Sequence, residues 1–82
     1  MNFTRYFHHT RARSDRKDIR MEWIQRVVDT PDREERQKDG RIRRWAWISE
    51  VKKHLRVVLL EDGQTIHNAF FDRDYKDSSD ED

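Results

Sequence analysis

Two Asp-Gly pairs, Asp39-Gly40 and Asp62-Gly63, set the frame of this chain. Asp-Gly is a strong hairpin signal, because a two-residue type I′ turn needs positive φ at both central positions. Both pairs lie between runs that read as strands: Glu35 to Lys38, Ile42 to Glu50, His54 to Glu61, and Thr65 to Phe71. These four runs predict an antiparallel meander. The residues before Thr30 read as helical. The expected class is α+β, with two N-terminal helices packed on one face of a sheet of about four strands.

The helical half has its own punctuation. Phe3, Tyr6, Phe7 and Thr10 recur at i, i+3, i+4 and i+7, which predicts a helix running to about Arg16 after a short extended start. Asp18 is a good N-cap for a second helix from about Ile19 to Asp29. Met21, Ile24, Val27 and Val28 form its apolar stripe, with Trp23 beside them. Thr30-Pro31 ends it, since proline disfavours helical geometry at the residue before it.

In the sheet half, Leu55, Val57 and Leu59 share one face of their strand, and that face is assigned to the helices. Together with Ile24, Val27 and Val28 they make the expected core. Val58 and Leu60 on the other face are also apolar, which marks an inner strand. In the preceding strand Trp45 and Trp47 share one face, while Ile42, Ala46 and Ile48 share the other. Only one helical layer is available, so one of these faces must be partly exposed. The link from Ser49 to Lys53 contains no glycine, and no turn type is read from it.

At 82 residues the chain is expected to be one domain. It is 33% hydrophobic and 43% charged, so its core must be thin. The nine aromatics must supply much of the buried area, and a homodimer or another partner would add to it. There is no cysteine, and no apolar run approaches a membrane span, which fits a cytoplasmic protein. Charge is unevenly spread. From Asp72 to Asp82 six acidic residues oppose two basic ones, a net of −4, whereas residues 1–71 hold 16 basic and 11 acidic groups, a net of +5. Residues 1–74 are expected to fold, and residues 75–82 to form a disordered acidic tail. A basic body favours contact with a polyanion.

The opening of the chain resembles that of a family of small bacterial proteins of unknown function. His9, Arg13, Lys17 and Ile19 match its spaced histidine, arginine, basic residue and isoleucine. The likeness continues through Trp23, Ile24, Val27, Val28 and Pro31, then Gly40, then the apolar strands Leu55 to Leu60 and Ile66 to Phe70. It covers roughly residues 3 to 71. The family has glycine where this chain has Asp18, and often threonine where Asn68 falls. Its members are distantly similar to the RelE and BrnT type of ribonuclease toxin. The resemblance therefore implies a RelE-like fold, RNA as substrate, and a small antitoxin as partner in the cytoplasm. Fold alone does not give function.

Metal-independent RNA cleavage needs a base for the 2′-hydroxyl, an acid for the leaving oxygen, and cations for the phosphate. His9 and Arg13 form an i, i+4 pair on the predicted first helix, placing a candidate base beside a phosphate clamp. His8, His54 and His67 are the other histidines. His67 and Asn68 are expected on opposite faces of the last strand. No metal or cofactor is implied: His8 and His9 are adjacent, which points them about 100° apart on a helix, and no HxxxH spacing completes a site. Arg41, Arg43, Trp45 and Trp47 alternate onto one strand face, and Arg44 adds a further cation. Arginines hold phosphates and rings stack bases, so this strip is a candidate RNA surface. The competing account packs both tryptophans against the helices, with the arginines at the rim. A non-catalytic protein-interaction module is the alternative function.

Overall fold

The computed structural model describes residues 2–13 and 18–75. The elements in chain order are β1 (Asn2–Phe3), α1 (Arg5–Arg11), α2 (Met21–Asp29), β2 (Arg33–Arg36), β3 (Ile42–Ile48), β4 (Lys53–Leu59) and β5 (Thr65–Phe71). The class is α+β: two helices and one five-stranded mixed sheet. Its strand order is β1-β5-β4-β3-β2. The expected meander is β2 to β5, all antiparallel. The fifth strand is β1, which lies parallel to β5 through Asn2↔Thr65 and Phe3↔Ile66. Two residues are too few for a periodic signal, so the expected four strands become five.

Both Asp-Gly pairs sit in hairpin turns, but not of type I′. Only the glycines have positive φ, 93° at Gly40 and 70° at Gly63. Gly40 N–H donates to the Gln37 carbonyl, and Gly63 N–H to that of Leu60. In each turn the aspartate occupies an ordinary position, and the glycine absorbs the left-handed step that returns the chain to the ladder. Asp62 then accepts from the backbone N–H of Gln64 and Thr65 and from the Thr65 hydroxyl. The glycine-free turn uses Lys52 in the same role, with φ 54°.

The helices differ from expectation mostly at their ends. Thr4 caps α1, its hydroxyl accepting from Phe7 N–H, and α1 ends at Arg11 rather than Arg16; residues 14–17 lie outside the described residues. α2 begins at Met21, and its N-cap is Arg20 with no side-chain bond, not Asp18. Ile19 explains the delay. It is buried just ahead of the cap, and Ile24 is buried at the fourth helical position, the arrangement of a hydrophobic staple. Burial of that side chain sets the entry of the helix in place of a polar cap.

Both helices lie on one face of the sheet, α1 against β5 and α2 against β4 and β3. The core joins Phe7, Ile19, Trp23, Ile24 and Val27 to Ile42, Ala46, Ile48, Leu55, Val57, Leu59, Ile66 and Ala69. Leu55, Val57 and Leu59 are fully buried as expected, while Val28 is only partly so. The helices therefore cover the isoleucine face of β3, and its tryptophan face is left to the other side. Full burial of each such aliphatic chain is worth about 1.5–3 kcal/mol. Arg44 is the charged residue on the covered face of β3. It donates to Glu34 at 2.6 Å and to the Val28 carbonyl at 2.9 Å, satisfying an end of α2 that has no further helical partner.

Candidate functional site: the open sheet face

Among the described residues no helix covers the second face of the sheet. Its side chains follow from strand alternation and register. Trp45 stands opposite Arg56, and Arg56 opposite Phe70, so one row crosses three strands. The next row holds Glu35, Arg43, Val58 and Asn68. Trp47 and His54 form a third pair, with rings 5.0 Å apart and edge to face.

Arg56 is the centre of this lattice. Its guanidinium lies 5.5 Å from the Trp45 ring and 5.1 Å from the Phe70 ring. Burial first, and then the charge of Arg43, lower its pKa; guanidinium nonetheless stays charged. Its Nε is buried without a hydrogen-bond partner, and its nearest carboxylate, Asp72, stands at 3.6 Å. Asp72 also accepts from the Trp45 indole N–H at 2.9 Å.

The two tryptophans are not equivalent. Trp45 is 5% exposed, Trp47 46%. Trp45 is closed over by Arg56 and by Tyr75, whose ring stacks on it at 5.8 Å and meets His54 at 4.0 Å. Tyr75 thus packs on the sheet instead of opening the tail; residues 76–82 lie outside the described residues. Beside Trp47 is a depression of about 280 Å³ lined by Lys52, Lys53, His54, Asp72, Arg73 and Tyr75, among others.

A larger groove, about 480 Å³, opens at the other end of the face. Tyr6, Gln37, Arg41, Arg56, His67 and Asn68 are its polar lining, with no carboxylate among the lining residues. His67 and Asn68 both reach it because β5 is irregular. Val58 pairs with Asn68 while Leu59 pairs with Ile66, so two residues of β5 oppose one step of β4. This bulge overturns the expectation that His67 and Asn68 face opposite ways. Thr4, the cap of α1, places its hydroxyl 3.1 Å from His67 Nδ1, and Tyr6 stacks on the imidazole at 4.7 Å. Burial first, and then Arg41, push the His67 pKa below the usual histidine range. Gln37 lies against the Arg43 guanidinium, which its amide oxygen accepts from in the satisfied orientation.

The residues singled out in the sequence separate accordingly. Arg41 lines the groove and Arg43 stands behind Gln37. Trp47 is exposed on the same face, and Trp45 is covered. Arg44 belongs to the helical side and holds α2. His9 and Arg13 are exposed on and after α1, away from the groove lining. Arg13 lies beyond the last helical residue, so the helical i, i+4 pairing with His9 does not apply. Arg56, Tyr6 and Gln37 were not singled out as site residues. Arg56 had a signal, a cation set within the apolar run Leu55 to Leu60; Tyr6 and Gln37 reach the groove only through tertiary packing.

Among the described residues no cluster of histidine and carboxylate groups forms a metal site, and no helix is long and apolar enough to cross a membrane. The chain matches no known family model, no curated protein and no solved structure.

Proposed function

We propose that this is an RNA-directed protein whose open sheet face binds single-stranded RNA. The observation that carries the reading is the lattice of arginines and rings on a sheet face that no helix covers among the described residues: Arg41, Arg43 and Arg56 interleaved with Trp47, Phe70 and Tyr6, over a sealed Trp45. Exposed rings accept bases of any sequence, and arginines hold the backbone. The basic body supports the same ligand class. The wider form of the proposal is a RelE/BrnT-like protein with a small antitoxin partner, supported by the resemblance of residues 3 to 71 and by the α+β layout.

The direct test is binding of a single-stranded oligoribonucleotide at two salt concentrations. Affinity is expected to fall steeply with salt as counterions are released. Arg43→Ala lowers affinity and the salt slope, and Trp47→Ala lowers affinity by about 1–3 kcal/mol if a base stacks there. Absence of binding at low salt would end the nucleic-acid reading.

A non-catalytic module is the second reading. It is favoured by the groove itself, where no carboxylate stands beside His67 to complete an acid/base pair. Incubation of RNA with the wild type, His9→Ala and His67→Ala separates the two. Cleavage abolished by either substitution supports a metal-independent ribonuclease and identifies a histidine it requires. Binding without cleavage supports the module.

A further inference from the structure

The groove at the Gln37 to Arg41 turn is lined by two arginines and a histidine and by no carboxylate. Arg41 and Arg56 line it. Arg41 pairs with Asp39 at 3.8 Å and Arg56 with Asp72 at 3.6 Å, Glu35 also acts on Arg56, and none of these acids lines the groove. Arg56 Nε is buried without a partner. Among the described residues, the groups facing His67 are Arg41 from the β2–β3 turn, Arg56 from β4, and Tyr6 and Thr4 from the start of α1, none of them anionic. Thr4 and Tyr6 fix the imidazole through Nδ1 and one ring face, which leaves Nε2 as its other polar atom.

We infer that this groove is a phosphodiester subsite, in which an RNA phosphate sits among Arg41, Arg56 and His67 and its binding is coupled to protonation of His67. The inference rests on the RNA-binding reading and specifies one contact within it. An anion placed here offsets the Arg41 charge that opposes a proton on His67, and it accepts a hydrogen bond from the imidazolium. His67 therefore takes one proton from solvent as the phosphate enters and releases it as the phosphate leaves. The sign follows from linkage. The unbound pKa lies below the ordinary histidine value, and the bound pKa is higher. Affinity must then rise as pH falls through the interval between the two, and be flat outside it.

The probe is a short, unstructured oligoribonucleotide without terminal phosphates, so that it has no phosphate proton to titrate. Its affinity for the full chain is measured at fixed low salt between about pH 8 and pH 5.5, the span in which histidine changes charge. Wild type is expected to bind more tightly at the acid end, by roughly tenfold for each unit that binding raises the His67 pKa. His67→Gln should flatten that rise. His54→Gln should retain it. Proton resonances of the His67 ring supply a measure that needs no folded variant at this position: their titration midpoint should move up on adding RNA. Arg41→Gln should move the midpoint up without RNA. A pH dependence that persists in His67→Gln, or a midpoint unmoved by RNA, overturns the subsite. Tight binding with no pH dependence removes the subsite and leaves the RNA-binding face. No binding at any pH removes both.

Discussion

Trp45 and Trp47 lie two residues apart on one strand face, yet their surroundings assign them different work. Trp45 is sealed by Arg56 and Tyr75, and its N–H is engaged by Asp72. Trp45→Ala is therefore expected to cost about 3–5 kcal/mol in chemical denaturation, as a large core truncation does. Trp47 is exposed, and Trp47→Ala should change stability by no more than about 0.5 kcal/mol while weakening RNA binding. Equal effects of the two on stability would contradict the described cover. On the opposite face Val57 is fully buried, and Val57→Ala should lower stability by about 1–3 kcal/mol. An unchanged unfolding midpoint there would mean that the sheet presents its other face to the helices.

At the scale of elements, the turns and helix ends carry the testable devices. Lys52 holds a left-handed conformation without being glycine. Asparagine tolerates that region better, so Lys52→Asn should raise stability by about 0.5 kcal/mol, read from the urea midpoint. The turn before Lys52 is tied to α2 by Arg26, whose two terminal nitrogens donate to the two oxygens of Glu50. That bond, the largest cause, lowers the Glu50 pKa to about 2. Its stabilisation is present above the ordinary carboxylate pKa and fades as pH falls from there through the lowered value. Carboxylate titration by NMR should find Glu50 still ionised when its exposed neighbours have protonated, and Arg26→Gln should shrink the difference, leaving the part due to the backbone and Ser49 hydrogen bonds. These devices show what a linear reading can reach. The two glycine turns and the burial of Leu55, Val57 and Leu59 were legible because period and turn chemistry are local. The start of α2 was not, because the burial of Ile19 prevailed over the capping propensity of Asp18. Arg44 read as one more cation of a basic strip. Strand alternation already sets it on the far side from Trp45; the tertiary contact with the Val28 carbonyl shows that this side meets α2.

At the scale of the molecule, the two faces of the sheet differ: the helix-covered face holds most of the buried apolar side chains, and the other combines arginines with aromatic rings. The edges suit that division. β1 is two residues long, and β2 is Arg33-Glu34-Glu35-Arg36, a charged margin that discourages further strand pairing. Charge on the whole chain is expected to modulate ligand binding. Residues 76–82 contain four acids and one base, so ending the chain after Tyr75 raises the formal net charge from +1 to +4 while keeping the ring that stacks on Trp45. The shortened chain should bind RNA more tightly at low salt, with the advantage shrinking as salt screens it. Equal affinities at low salt would show that the tail does not compete for the basic face.

The bulge in β5 has a consequence for how this molecule can change. Ile66 and Ala69 both face the helices, three positions apart, where a regular strand would send them to opposite sides. One supernumerary residue reconciles them, and it lies at His67-Asn68. Deleting either residue would restore strict alternation and leave both apolar anchors in place, while removing one wall of the groove. The groove wall is thus an insertion laid over a scaffold whose apolar anchors do not depend on it. A single codon lost there is expected to remove the wall and keep Ile66 and Ala69 on the helix-covered side.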